Sequence, residues 1–292
     1  MSSGIFLPRE TVRSRWRQRG PGDISSAMSN DTKPHTRRRP ATSSPYPKRK
    51  KREREAGHVL YLYGLHTVEL ALKNPRRKAI RLLATLNAEA RLRERFPDGL
   101  PLEPENASPP ALDRLLGSDA VHQGVALEVE PLPALKTRDL GDARLVLALD
   151  QITDPHNVGA ILRTATALGV DAVMTTARHS PAESGVLAKS ASGALDMMPI
   201  IEVRNLGDAL EDAKAEGFQV VGLDSEGPES LEETELRAPV LLVLGAEGKG
   251  LRQRTREICD TLARLDMPGP IKSLNVSNAC ALSLYVVRRA IG

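Results

Sequence analysis

Asn157 and Arg163 stand six residues apart in Asp150-Gln151-Ile152-Thr153-Asp154-Pro155-His156-Asn157-Val158-Gly159-Ala160-Ile161-Leu162-Arg163, where a polar turn gives way to a helical pattern. A carboxamide and a guanidinium can both donate hydrogen bonds to an oxygen that gains negative charge, and arginine also matches phosphate bidentately. At ~100° per residue, Arg163 lies about 200° round from Ile161, off the predicted core stripe of Ile161, Leu162, Ala165 and Leu168. It is therefore free to meet a ligand or a partner. Asp154-Pro155 and Asn157 are equally good as a turn and helix cap.

Two later stretches add glycine and amide chemistry. Leu244-Gly245-Ala246-Glu247-Gly248-Lys249-Gly250-Leu251 follows an apolar strand, and glycines there let backbone amides approach a ligand closely. The loop lacks the Lys and Ser or Thr of a Walker loop, and Gln253 fills the place of the last glycine of a dinucleotide fingerprint. A tight strand-to-helix turn is its plain alternative. The third stretch, Leu265-Asp266-Met267-Pro268-Gly269-Pro270-Ile271-Lys272-Ser273-Leu274-Asn275-Val276-Ser277-Asn278, is a Pro/Gly loop entering the last helix, with Ser273 predicted as its cap. The helix begins with small residues, Ala279, Cys280, Ala281 and Ser283, which permit close packing.

Alternating strands and helices must position these loops. Val59–Tyr63, 80–84 and 121–129 read as strands, with helices over 67–72, 88–96 and 111–116, which makes a small α/β domain over 58–130. Residues 131–143 read as a proline-bearing linker. Beyond it, apolar runs at 145–149, 172–175, 220–223 and 240–244 alternate with helical patterns at 160–168 and 206–216, the signature of a parallel sheet flanked by helices over 144–292. Ligands bind such sheets at the carboxyl ends of the strands, where the three stretches fall.

Composition narrows the class. Eight of 292 residues are aromatic, too few for a stacking platform on bare nucleobases. No apolar run reaches the roughly 18 residues of a membrane span. Cys259 and Cys280 are too few for a disulfide scaffold or zinc cluster, no secretory segment opens the sequence, and no metal is expected; a reducing cytoplasm is the expected location. Residues 1–57 hold 15 basic against 5 acidic side chains, so +10 of charge sits there, while the remaining 26 basic and 32 acidic residues leave −6. This Arg/Ser/Pro-rich tail is expected to be disordered and to act as a phosphate-binding arm, a solubilising extension or a targeting segment. Met28 is an alternative start.

Together the three stretches resemble the motifs of the SpoU-type (TrmH-like) RNA 2′-O-ribose methyltransferases of the SPOUT class. Asn157 and Arg163 carry the first, Gly245-Ala246-Glu247-Gly248 the second and Ser273-Leu274-Asn275-Val276-Ser277 the third. The segment Lys189-Ser190-Ala191-Ser192-Gly193-Ala194 is also similar to the family's. Gly64-Leu65-His66-Thr67-Val68-Glu69 and Val121-His122-Gln123-Gly124-Val125 resemble the ribosomal-protein-like substrate-binding domain of the subgroup that methylates a guanosine of large-subunit ribosomal RNA.

The resemblance implies a trefoil-knotted C-terminal domain, S-adenosylmethionine as cofactor and a homodimer with the active site at its interface. By the same resemblance, Gly245, Leu265, Met267 and Leu274 bind the cofactor, and Arg163, Asn157, Glu247, Ser273 and Asn275 serve the transfer to ribosomal RNA. The family's usual candidate for the base is the residue matching Arg163. Keeping an arginine neutral at pH 7 costs about 8 kcal/mol, so a charged clamp on phosphate and developing alkoxide is an equal alternative. Asn157, Asn275 and Ser273 can fix the ribose, and Glu247 can orient Arg163 or brace the glycine loop. Transfer RNA, another ribosomal site or a silent RNA-binding assembly role are the alternative functions. All five polar motif residues are present, which disfavours the silent one.

Overall fold

The computed structural model describes residues 59–292. The tail 1–57, with its expected disorder and the start at Met28, lies outside the described residues. From Leu60 the elements run β1 (Leu60–Tyr63), α1 (Leu65–Lys73), β2 (Ala79–Ala84), α2 (Leu86–Arg93), β3 (Pro104–Asn106), α3 (Pro109–Leu116) and β4 (Val125–Val129). The strands form one sheet in the order β1-β4-β2-β3. The three expected helices are present with shifted ends: α2 starts at Leu86 because the Thr85 hydroxyl accepts from the Ala88 amide, and α3 opens on prolines, which fit a first turn. The single strand expected over 121–129 is corrected to Val125–Val129. Gln123 and Gly124 both take positive φ, +57° and +81°, and so turn the chain before the ladder begins.

Residues 131–143 are less open than a linker composition suggests. A 3-10 turn forms at Thr137–Asp139, and Leu135 bridges Ile201 in parallel, its amide donating to the Ile200 carbonyl. The chain continues through β5 (Leu145–Asp150), α4 (Pro155–Ala167), β6 (Ala172–Thr176), α5 (Gly185–Ala191), α6 (Ala194–Met197), β7 (Ile200–Val203), α7 (Leu206–Ala215), β8 (Gln219–Leu223), β9 (Glu229–Ser230), β10 (Val240–Gly245), α8 (Gln253–Ile258), β11 (Thr261–Arg264) and α9 (Val276–Ile291). Seven strands make a second sheet ordered β7-β6-β5-β10-β8-β11-β9, in which every pairing is parallel. The fold is α/β, as the alternation of patterns predicts.

Alternation along β5 separates two cores. Leu145, Leu147 and Leu149 join a layer with Ile161, Leu162 and Ala165 of α4 and with Cys280, Leu284 and Val287 of α9, whereas Val146 and Ala148 face Leu206 and Leu210 of α7. Leu168, placed on the stripe by its spacing, is only partly buried, because α4 ends at Ala167. The cap of α9 is a second correction. Asn275, not Ser273, caps it, its side-chain oxygen accepting from the Ser277 amide at 2.9 Å. Ser273 is left in the loop.

Candidate active site

Because the second sheet is parallel, the loops that follow β5, β8, β10 and β11 gather at one edge. The loops after β8, β10 and β11 enclose a cavity of about 450 Å³. One wall is the glycine loop from Gly245 to Gly250, another is Leu265, Met267 and Lys272–Leu274, and the floor is Leu223–Glu226 with Arg256. All four residues expected to bind cofactor, Gly245, Leu265, Met267 and Leu274, line it. A second cavity of about 530 Å³ adjoins it, walled by Gln151–Asp154, Asn157 and His179 and sharing Ala246, Glu247, Lys249 and Val276 with the first. One space suits a partly apolar ligand. The other is the more polar of the two.

A buried carboxylate holds the glycine loop in place. Asp150, fully buried at the end of β5, pairs in register with Gly245 and accepts from the Arg252 amide (3.1 Å), Arg252 Nε (2.6 Å) and Thr255 Oγ1 (2.7 Å). The first motif thus fixes the exit of the second. Within that loop Ala246 and Gly250 exchange both backbone hydrogen bonds. The turn they close is so tight that a Cβ on Gly245 would lie 2.2 Å from the Gly250 carbonyl carbon. Glycine is therefore required at 245 by the loop's own backbone. Gly248 differs: its φ is +74° but a Cβ there would meet nothing.

The amides of the first and third motifs meet, and their orientation can be deduced. The Ser277 amide only donates, so the Asn275 atom facing it is Oδ1, which also accepts from Ser277 Oγ at 2.6 Å. Asn275 Nδ2 then donates to Asn157 Oδ1 at 3.0 Å. This leaves the Asn157 amino group free to donate to an oxygen in the second cavity. Asn275 is occupied on both atoms and acts as a brace.

Arg163 is apart from this cluster. It is exposed, lines neither cavity and makes no hydrogen bond or ion pair among the described residues. Six helical residues carry it about 9 Å along α4 and about 240° round from Asn157. Glu247 lines both cavities and makes no ion pair with Arg163 among the described residues. Burial pushes the thiols of Cys259 and Cys280 up to about 12, so neither provides a thiolate at neutral pH.

Asp150, Leu223–Glu226, Arg252 and Thr255 were not singled out in the sequence. A signal was available for two of them, since Asp150 ends the apolar run of β5 and Asp224 directly follows the apolar end of β8. Asp224 is buried and takes Arg256 NH1 at 2.5 Å, which firms the cavity floor.

Residues 144–285 match the SpoU rRNA Methylase family, and residues 61–135 match the family described as RNA 2′-O ribose methyltransferase substrate binding. The 23S rRNA (guanosine-2′-O-)-methyltransferase RlmB of Pseudomonas aeruginosa is 39% identical over 239 residues, 78% of this chain and 95% of that relative. The Haemophilus influenzae protein of the same name is 35% identical over 79% of this chain and 98% of its own length. Among solved structures, the SpoU methyltransferase AviRb from Streptomyces viridochromogenes, in complex with the cofactor AdoMet, superposes with a TM-score of 0.68 at 26% identity, covering 79% of this chain and 89% of that one.

Proposed function

The chain belongs to the SpoU rRNA methylase family, and on that premise we propose that it transfers the methyl group of S-adenosylmethionine to a ribose 2′-hydroxyl of RNA, a guanosine of 23S ribosomal RNA. The observation that supports this most is the pair of adjoining cavities with Ala246, Glu247, Lys249 and Val276 as common wall, one fit for the cofactor and one for the ribose. The residues present suit the cofactor: Leu265, Met267 and Leu274 offer apolar contact, and the loop at Gly245 offers backbone groups.

When bound, the cofactor supplies an electrophilic sulfonium methyl. The chain's residues orient the acceptor, so that an O–C bond forms as the S–C bond breaks and the hydroxyl proton leaves. Asn157 Nδ2 donates to the hydroxyl oxygen and stabilises the charge that develops there. Asn275 holds Asn157 in that orientation, Ser273 and Glu247 border the transfer path, and orientation supplies much of the rate. Arg163 comes from a second copy, either to take the proton or to clamp phosphate and alkoxide. The exposed stripe of Leu282 and Tyr285 on α9, with Ile271 and Leu274 before it, offers apolar surface for that homodimer.

The remaining proposals follow the family. Residues 58–130 bind RNA, 131–143 connect, 144–292 form the knotted catalytic domain, and the basic tail 1–57 binds further phosphates. No described helix is long and apolar enough to cross a membrane, and a cytoplasmic enzyme is proposed. Incubation with methyl-labelled cofactor and 23S ribosomal RNA, followed by mapping of 2′-O-methyl sites, tests the reading. One labelled guanosine is expected; cofactor binding with no transfer to any RNA would overturn it.

A further inference from the structure

The segment between β6 and β7, residues 183–196, lines neither the cavity proposed for the cofactor nor its neighbour, yet it is tied to β1, to α1 and to the loop after α1. Gly185 opens α5 so close to β1 that a Cβ would lie 2.5 Å from both the Tyr61 carbonyl oxygen and the Tyr63 ring. Gly193, at φ +90°, would place a Cβ 2.2 Å from Leu70 Cδ1 on α1. Leu62, Leu65 and Val68 of the small unit and Leu187, Ala188 and Leu195 of this segment belong to one continuous core.

Charge closes the same seam. The Arg77 guanidinium, wholly buried, donates from Nε to Asp196 Oδ1 at 2.8 Å, from NH1 to the Glu130 carbonyl and also to Glu183. Asp196 accepts in addition from Asn74 Nδ2, and Glu183 Oε2 accepts from the Leu132 amide. At the outer rim Lys189 Nζ donates to Gln123 Oε1, which also holds the Leu65 amide, and burial lowers the lysine's pKa. On its far side α5 presses against α4: a Cβ on Gly159 would lie 2.5 Å from Ser190 Cβ, and Ser190 Oγ bonds His156 Nδ1, next to Asn157.

Units joined by a small, polar contact move relative to each other by default. Here an apolar core crosses the seam, and parting it would expose that core to water, which is unfavourable, while the buried pairs fix the geometry in which it closes. We propose that residues 183–196, with Asn74 and Arg77, form a seat that locks the RNA-binding unit at one reach from the ribose cavity, so that the target ribose is selected by a fixed distance. This rests on the RNA methyltransferase function proposed for the chain.

The pair Leu70→Cys with Gly193→Cys tests it in the full chain. A Cβ at 193 would lie 3.3 Å from Leu70 Cβ, near disulfide spacing. The expected result is that the oxidised protein forms the bond and methylates the same ribose as fast as its reduced form. Loss of transfer on oxidation and recovery on reduction, with cofactor binding unchanged, would overturn the proposal; so would failure of the bond to form in the folded protein.

Gly185→Leu drives α5 off β1 and should lower kcat/KM for RNA about 100-fold, as expected of ångström-scale misplacement, with stray 2′-O-methyl marks and normal cofactor affinity. Full-rate transfer to the original ribose alone by that variant would also overturn it. If the unmodified chain binds cofactor but methylates no RNA, the underlying methyltransferase function has failed instead.

Discussion

The two cavities at the carboxyl edge of the large sheet are built in different ways. The cavity proposed for the cofactor is shaped largely by backbone: its glycine loop is closed on itself, anchored by Asp150 and floored by the Asp224–Arg256 pair. The cavity proposed for the ribose is the more polar one, with Asn157 oriented by Asn275 and Arg163 turned away round α4. On the proposed function, cofactor recognition would depend on backbone shape, and transfer on a few donors of which Arg163 would come from a second copy. The two functions should separate under mutation.

The sharpest separation is expected at Gly245. A valine there collides with the Gly250 backbone, so the loop must open and cofactor binding should fall below detection in calorimetry, while RNA affinity in a folded variant changes far less. Gly248→Val should do much less, since only its positive φ opposes the side chain, at a cost of roughly 1–3 kcal/mol. Equal losses in the two variants would erase the difference between these glycines.

Arg163→Ala should sharpen the comparison from the other side, lowering turnover by about 10²–10³-fold with cofactor affinity near wild type. Weakened cofactor binding with normal turnover at saturating cofactor would place Arg163 in the wrong half. Arg163→Lys then divides the two roles. Rescue that rises with pH marks a base, because lysine is more easily neutralised, and no rescue marks the planar clamp.

Asp150→Asn should have an intermediate effect. It weakens charge-assisted hydrogen bonds worth about 1.5–3 kcal/mol, and a Kd for cofactor raised about tenfold or more is expected. Thr255→Val should reproduce part of this. An unchanged Kd in both would show that the glycine loop needs no anchor.

The smallest effect on turnover is expected from deleting residues 1–57. Removal of their +10 charge should flatten the salt dependence of RNA affinity, by about 0.7–0.9 in slope for each phosphate that is no longer neutralised. Turnover at saturating RNA and the site of methylation should persist. An unaltered slope would return the tail to a solubilising or targeting role.

Much of this was legible along the chain. The uninterrupted apolar runs of β5 and β10 and the helical stripe of α4 made the parallel sheet predictable, and the glycine and asparagine motifs marked the loops of both cavities. Short pieces escaped: α5, α6, α8 and β11 are four to seven residues of mixed composition, too short for a period to emerge. The cap of α9 was misplaced by two residues because serine and asparagine are both good caps and the loop before it has no period.

The sequence by itself determined which segments become strands, where backbone must approach closely, and that Arg163 faces away from its helix's core. Only the tertiary structure decided that Asp150 would grip residues 102 and 105 positions later, that Asn275 would orient Asn157 across 118, and that Arg77 would find Asp196 across 119. Local propensity acts over a few residues. Which loops become neighbours is fixed by the order of strands in the sheet, and that order follows from how the whole set of apolar faces is buried at once.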